Sequence, residues 1–158
     1  MRGRGYYDSP VGELMILSSD NAVTHVLFNN EDRGEEVRTA VIDQCIEELD
    51  EYFKKGRKFF TVELRADGTD FQKRVWAELL TIPFGKTISY EELAVRLGDV
   101  KSIRAAGVAN SVNPIAIIIP CHRVIGKNGD LTGYAGGLEN KQWLLHHEGS
   151  LMRQLSLF

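Results

Sequence analysis

Cys121 is the residue whose setting in this 158-residue chain points to chemistry. It follows Pro120 at the end of the apolar run Ile115-Ala116-Ile117-Ile118-Ile119, and His122 and Arg123 come directly after it. The pattern predicts a buried strand that stops at the proline and presents a thiol. The thiolate is the nucleophilic form of cysteine, and cationic neighbours favour it. A nearby base serves the same end. His122 and Arg123 therefore make Cys121 a candidate nucleophile. Cys45 is the contrast. In Val41-Ile42-Asp43-Gln44-Cys45-Ile46-Glu47-Glu48-Leu49 the apolar residues recur at helical spacing, so Cys45 reads as core packing. Two widely separated cysteines give neither a disulfide framework nor a Cys-x-x-Cys zinc signature, and both are expected to be reduced.

The elements that must position Cys121 belong to an ordinary globular chain, 43% hydrophobic and 26% charged. No apolar run reaches transmembrane length and the first residues lack a hydrophobic signal core, so a cytoplasmic location without membrane contact is expected. Charge is unevenly spread. Residues 1–68 hold 9 Lys and Arg against 14 Asp and Glu, whereas residues 69–158 hold 10 against 8. The basic excess travels with Cys121, which raises nucleic acid as a partner.

The first half reads as a small α+β unit. Residues 11–18 and 22–28 are strand-like, with turn chemistry at Ser18-Ser19-Asp20-Asn21, and His25 is one surface polar residue on the second strand. A helix is predicted over residues 35–55, with Gly56 as its stop, and another strand over residues 59–64. Arg65-Ala66-Asp67-Gly68 is the expected joint. Beyond it, Thr69 and Gln72 form a capping box for a helix that carries Phe71, Val75, Trp76, Leu79 and Leu80 inward and ends before Pro83. Ser89 and Glu92 form a second box, opening the helix 90–97. After Gly98-Asp99 comes the helix 101–111, rich in small residues. Two short helices joined by a glycine-containing turn make a helix-turn-helix unit. In it, Ala105, Ala106, Gly107 and Ala109 permit close approach to another surface, and Lys101 and Arg104 supply cations for a phosphate backbone or a vacated base position.

Several spaced motifs then agree in order: Ile88-Ser89-Tyr90, Arg104-Ala105-Ala106-Gly107, Asn113-Pro114, Pro120-Cys121-His122-Arg123-Val124, Gly133-Tyr134-Ala135-Gly136-Gly137-Leu138, and Trp143-Leu144-Leu145 leading to His147-Glu148-Gly149. Together they resemble the O6-alkylguanine-DNA alkyltransferases, densely from Phe71 to Gly149 and only in outline over residues 1–64. The resemblance implies an α+β chain. A ribonuclease H-like sheet-plus-helix domain (1–68) would support a mainly helical, winged helix-turn-helix-like domain (69–158) that carries the reactive cysteine. It implies DNA repair by direct reversal, in which an alkyl group passes irreversibly from O6-alkylguanine, with O4-alkylthymine as a further candidate, to Cys121. The protein would be consumed, acting as a monomer on double-stranded DNA with no cofactor and no metal.

Carried over by motif, Cys121 is the acceptor and His122 the base that relays its proton through water. Glu148 orients that histidine, and Asn113 ties the turn together. The target atom lies within the base stack, so the nucleotide must be flipped out. Arg104 would fill the gap, Tyr90 would press on the adjacent phosphate, and the carbonyls of Cys121 and Val124 would accept from the guanine amino group. Tyr134 would pack on the base and the Ala135 N–H would donate to O6. Lys101, Ala105, Ala106 and Arg123 are the expected DNA contacts. Asn110 and Ser111 stand where some relatives have a bulkier apolar residue and an arginine, which bears on pocket width. Two other readings stay open at this point: a damage-recognition protein that transfers nothing, and a cysteine hydrolase that turns over repeatedly.

Overall fold

The computed structural model describes residues 1–150; the last eight residues of the expected 69–158 domain lie outside the described residues. The chain forms two units. One is built from residues Met1–Asp67 with Pro114–Ile118, and the other from the remaining residues on either side of that excursion.

The first unit is an antiparallel sheet in the order β1 (Arg2–Ser9), β2 (Gly12–Ser19), β3 (Ala22–Phe28), with α1 (Ala40–Lys55) packed against it. Strand β1 escapes the sequence reading because Arg2-Gly3-Arg4-Gly5 has the composition of a loop. Those glycines are there for α1. A Cβ on Gly3 would lie 2.8 Å from Ile42 Cγ1, and one on Gly5 2.6 Å from Ile42 Cγ2. Helix and strand thus meet backbone to side chain. The inward face of α1 presents Val41, Ile42, Cys45, Leu49, Tyr52 and Phe53, and Gly56 closes the helix in the left-handed conformation at φ 70°.

Three expectations need correction here. Helix α1 begins at Ala40, not near residue 35. Thr39 caps it through Ile42 N, and Val37 upstream exchanges two backbone hydrogen bonds with Arg4 at 3.0 and 2.9 Å, which holds that segment extended. Residues 59–64 form no strand beyond a single parallel bridge between Val23 and Leu64. Their donors go instead to the buried Glu48 carboxylate, which accepts from Thr61 N at 2.7 Å, Thr61 Oγ1 at 2.6 Å and Val62 N at 3.2 Å. The apolar run before Pro120 is not a strand either. Val26 N donates to Pro114 O and Ala116 N to Val26 O, both at 3.0 Å, giving one bridge at Ile115. The backbone then turns at Ile117, whose φ of 72° is rare for a β-branched residue.

The second unit contains α2 (Asp70–Leu79), β4 (Ile88–Ser89), α3 (Tyr90–Arg96), α4 (Ile103–Ser111), β5 (Val124–Ile125) and α5 (Leu138–His147). The Thr69–Gln72 capping box is complete, but α2 ends at Leu79 and leaves Leu80 exposed. At α3 only half of the second box forms. Ser89 accepts from Glu92 N, while the Glu92 carboxylate turns to Arg96 at 2.9 Å. Gly98 and an Asp99 cap lead through a 3-10 turn, Val100–Ser102, into α4. Helices α2 and α4 are pinned by Trp76 Nε1 donating to Ala109 O at 2.9 Å. The parallel pair β4–β5 matches Ile88 with Val124 and Ser89 with Ile125, so the start of α3 is fixed to the segment that follows Cys121.

The glycine contacts predict that Gly5→Val will overpack the α1–β1 seam. Urea denaturation should show a loss of about 1–3 kcal/mol or more, whereas Gly12→Ala, with nothing within 4 Å of its Cβ, should cost only backbone strain at φ 104°.

Candidate active site

Cys121, His122 and Arg123 form one 3-10 turn and all three are buried. The turn is closed by Cys121 N donating to Ile119 O at 2.8 Å and Arg123 N to Pro120 O at 3.0 Å. Because the turn is not extended, alternation along a strand does not set where the thiol and imidazole point. Two asparagines bracket it. Asn113 Nδ2 donates to Ile119 O at 2.7 Å and the Asn113 side chain also hydrogen-bonds the Cys121 sulfur. Asn110, at the buried end of α4, donates from Nδ2 to Cys121 O at 3.4 Å.

Beneath the turn lies Glu148, at the end of α5. His122 Nε2 is 2.8 Å from Glu148 Oε2. Arg123 donates from Nε to Oε1 at 2.8 Å and from its terminal nitrogen to Oε2 at 3.0 Å, and its other terminal nitrogen donates to Ile82 O at 2.7 Å. Burial works to raise the Glu148 carboxyl, but His122 and Arg123 outweigh it and hold the group well below the usual carboxylate range. Burial also lowers His122, despite the opposing pull of Glu148, so the imidazole is neutral near pH 7. A neutral ring beside a carboxylate carries its proton on Nε2, which leaves Nδ1 as the basic atom. Nδ1 is buried and has no hydrogen-bond partner among the described residues.

The thiol is not activated as its sequence neighbours imply. Burial pushes the Cys121 thiol up, opposed by the Asn113 hydrogen bond and by Lys141. The guanidinium of Arg123 is turned to Glu148 instead. Lys141 is the cation that sequence reasoning missed. It is fully buried on α5, with Nζ donating at 2.8 Å to both Val124 O and Thr132 O and lying 5.9 Å from the centre of the Tyr90 ring. Burial pulls its ammonium down to about 8. A signal was present: Lys141, Leu144, Leu145 and Glu148 share one helical face, so a lysine sits where a core residue belongs. Tyr90 meets Thr132 as well, through its hydroxyl at 3.4 Å from the carbonyl and 3.3 Å from the Thr132 hydroxyl. Tyr134 has a buried hydroxyl, and desolvation with Cys121 and Glu148 nearby raises its phenol well above the ordinary value. Cys121, His122, Glu148, Asn113, Val124, Tyr90 and Tyr134 thus belong to one linked cluster in the second unit.

The other sequence candidates divide. Lys101, Arg104 and Ala105 are exposed on the 3-10 turn and α4, and Ala135 is exposed in the loop before α5. Ala106 is fully buried and faces the helix core, so it is removed from the DNA-contact set. Arg123 is only 6% exposed, and its guanidinium is bonded to Glu148 and to Ile82 O, so it does not present its charge to a phosphate. Among the described residues no group of three or more His, Cys, Asp or Glu is arranged to hold a metal ion, and no helix is long and apolar enough to cross a membrane.

The helix pair α3–α4 shares its unit with a buried thiol, a neutral histidine and a paired carboxylate, the combination expected of a DNA-directed protein with a candidate nucleophilic cysteine. Residues 70–150 match the family described as 6-O-methylguanine DNA methyltransferase, DNA binding domain, and residues 4–66 match the ribonuclease-like domain of the same enzyme. The chain belongs to the 6-O-methylguanine DNA methyltransferase family. It is 43% identical over 150 residues to a methylated-DNA–protein-cysteine methyltransferase of Methanosarcina acetivorans, covering 91% of this chain and 96% of that one. A Mycobacterium tuberculosis protein of the same name is 45% identical over 149 residues, 90% of each chain. The crystal structure of the M. tuberculosis O6-methylguanine methyltransferase superposes with a TM-score of 0.86 at 41% identity, covering 95% of this chain and 94% of that one. The M. tuberculosis OGT structure in complex with DNA gives 0.82 at 44% identity, covering 92% of both.

Glu148→Gln should strand a buried guanidinium, and loss of one partner of a buried ion pair costs about 3–5 kcal/mol, measurable by urea denaturation. The wild-type chain should lose stability as pH falls below 6.5, because the unfolded chain protonates His122 there and the folded chain resists it. Below 4.5 Glu148 adds a loss of the same sign, since its folded carboxyl is held lower than its unfolded one.

Proposed function

We propose that this protein repairs DNA by accepting, once and irreversibly, the alkyl group of O6-alkylguanine on Cys121. The observation that carries this reading is His122: neutral, tied through Nε2 to Glu148, with Nδ1 buried and unengaged beside the thiol in the chain. In the proposed reaction Nδ1 takes the Cys121 proton through a water molecule. The thiolate attacks the alkyl carbon, the S–C bond forms as the C–O6 bond breaks, and the electron pair leaves with guanine O6. The imidazolium formed on His122 is stabilised by the Glu148 carboxylate. No further reactant is consumed, and the thioether ends the protein's working life.

The target must leave the base stack to reach a buried sulfur. Exposed Arg104, Lys101 and Ala105 on the helix-turn-helix suit contact with the duplex, Arg104 filling the gap left by the flipped base. Tyr90, at the start of α3, suits contact with the adjacent phosphate. The guanine amino group would be accepted by the carbonyls of Cys121 and Val124, which in this structure take hydrogen bonds from Asn110 Nδ2 and Val124 N and from Lys141 Nζ respectively. Tyr134 would pack on the base and the Ala135 N–H would donate to O6. Lys141 holds the two segments that carry Val124 and Thr132 in one arrangement and favours charge on the sulfur.

Intact-protein mass spectrometry after incubation with an O6-methylguanine oligonucleotide should show one added methyl group per chain, mapped to Cys121. Cys121→Ala should bind the same DNA and gain nothing. His122→Ala should slow single-turnover transfer by about 10²–10⁴-fold. An unmodified Cys121 would turn the reading towards damage recognition alone, and repeated turnover of an ester or peptide towards a hydrolase.

A further inference from the structure

The first unit contains a cavity of about 540 Å³, lined from β1, β2 and β3 and from the segments around Glu35 and Arg65, with cationic side chains concentrated in a half of the chain that is acidic overall. Gly3 and Gly5 press on α1, so the alternating Arg2 and Arg4 emerge on the opposite face. Arg4 pairs in register with Leu17, and Leu17 with His25, which sets these three in one row across the sheet. Arg65 joins Arg2, Arg4 and His25 in the lining, with Glu35 and Asp67.

The hydrogen bonding of these groups is incomplete. Arg65 is engaged, by Ser19 O at 3.1 Å and Asp20 at 3.5 Å. Arg2 and Arg4 form no ion pair among the described residues, although two carboxylates share the cavity, and Arg4 Nε is buried without a hydrogen-bond partner. Arg4 Nε is enclosed by protein atoms, so the terminal nitrogens of the guanidinium are the donors a ligand would meet. Guanidinium groups present paired N–H donors that match the oxygens of phosphate, and the volume lies within the range of small-molecule sites. Glu35 and Asp67 can accept from hydroxyl or amino donors on the remainder of a ligand.

We propose that this cavity is a second ligand site, one that takes a phosphoryl group on Arg2 and Arg4. The phosphate is carried by a free mononucleotide or by a nucleic-acid strand, and the site is independent of the Cys121 chemistry.

The test is calorimetric titration of the full chain at constant ionic strength with inorganic pyrophosphate, AMP and an unmodified oligonucleotide. Saturable binding is expected, weakened about tenfold or more in Arg2→Gln/Arg4→Gln, with methyl transfer to Cys121 unchanged. Saturation by AMP or pyrophosphate assigns a free ligand. An oligonucleotide affinity that falls in the double variant, without AMP binding, assigns a strand phosphate. Arg4→Lys keeps the charge and most of the packing. Its binding should exceed that of Arg4→Gln, which separates loss of charge from loss of fold. The proposal is overturned if none of the three probes saturates, or if the wild type and the double variant bind them equally.

Discussion

The arrangement around Cys121 depends on one carboxylate kept ionised away from water. Glu148 is buried, and the desolvation it suffers is offset only because the His122 ring and both faces of the Arg123 fork reach it at 2.8–3.0 Å. Ion pairs of this kind are weak sources of net stability but unforgiving of a missing member. Their value here is geometric. Arg123 carries the constraint on to Ile82 O, beyond the end of α2, so the turn Cys121–Arg123 is tied to α5 on one side and to the loop after α2 on the other. Burial keeps His122 neutral against the pull of Glu148, and the bonds to Glu148 and Ile82 O hold Arg123 away from the surface.

Helix α5 contributes twice to this arrangement. Glu148 sits at its C-terminal end and Lys141 two turns earlier on the same face, one holding the base and the other holding the walls. Lys141 joins Val124 O to Thr132 O, and Thr132 in turn meets the Tyr90 hydroxyl. The parallel pair β4–β5 closes the circuit from Tyr90 back to Val124. Burying an ammonium is costly, which its lowered proton affinity records. Two main-chain carbonyls and a facing aromatic ring are what make that burial tolerable.

Much of this was legible in the sequence, for identifiable reasons. Capping residues at Thr69, Ser89 and Gly56, and apolar spacing in α1 and α2, are local signals, and they located helices to within a few residues. The motif around Pro120 singled out Cys121, and the spaced motifs singled out His122 and Glu148, which the fold places 2.8 Å apart. What stayed hidden was decided by partners far away in the chain. Strand β1 is written in glycines because a helix lies on it. Residues 59–64 look like a strand but bond to Glu48. The run 115–119 is apolar enough for a strand, yet turns at Ile117 after one bridge. Arg123 reads as a surface cation until Glu148 is placed beneath it, and Ala106 as a groove contact until the rotation of α4 turns it inward. Lys141 goes unnoticed unless its helical face, shared with Leu144, Leu145 and Glu148, is traced.

Residues 114–118 lie in sequence between Asn113 and the turn that carries Cys121, yet their backbone bonds to β3 in the first unit. A cut at the joint near residue 68 would therefore leave Val26 without its backbone partners in one fragment. It would leave five apolar or small residues without their sheet in the other. The two units are interleaved along the chain, so neither is encoded by one uninterrupted segment.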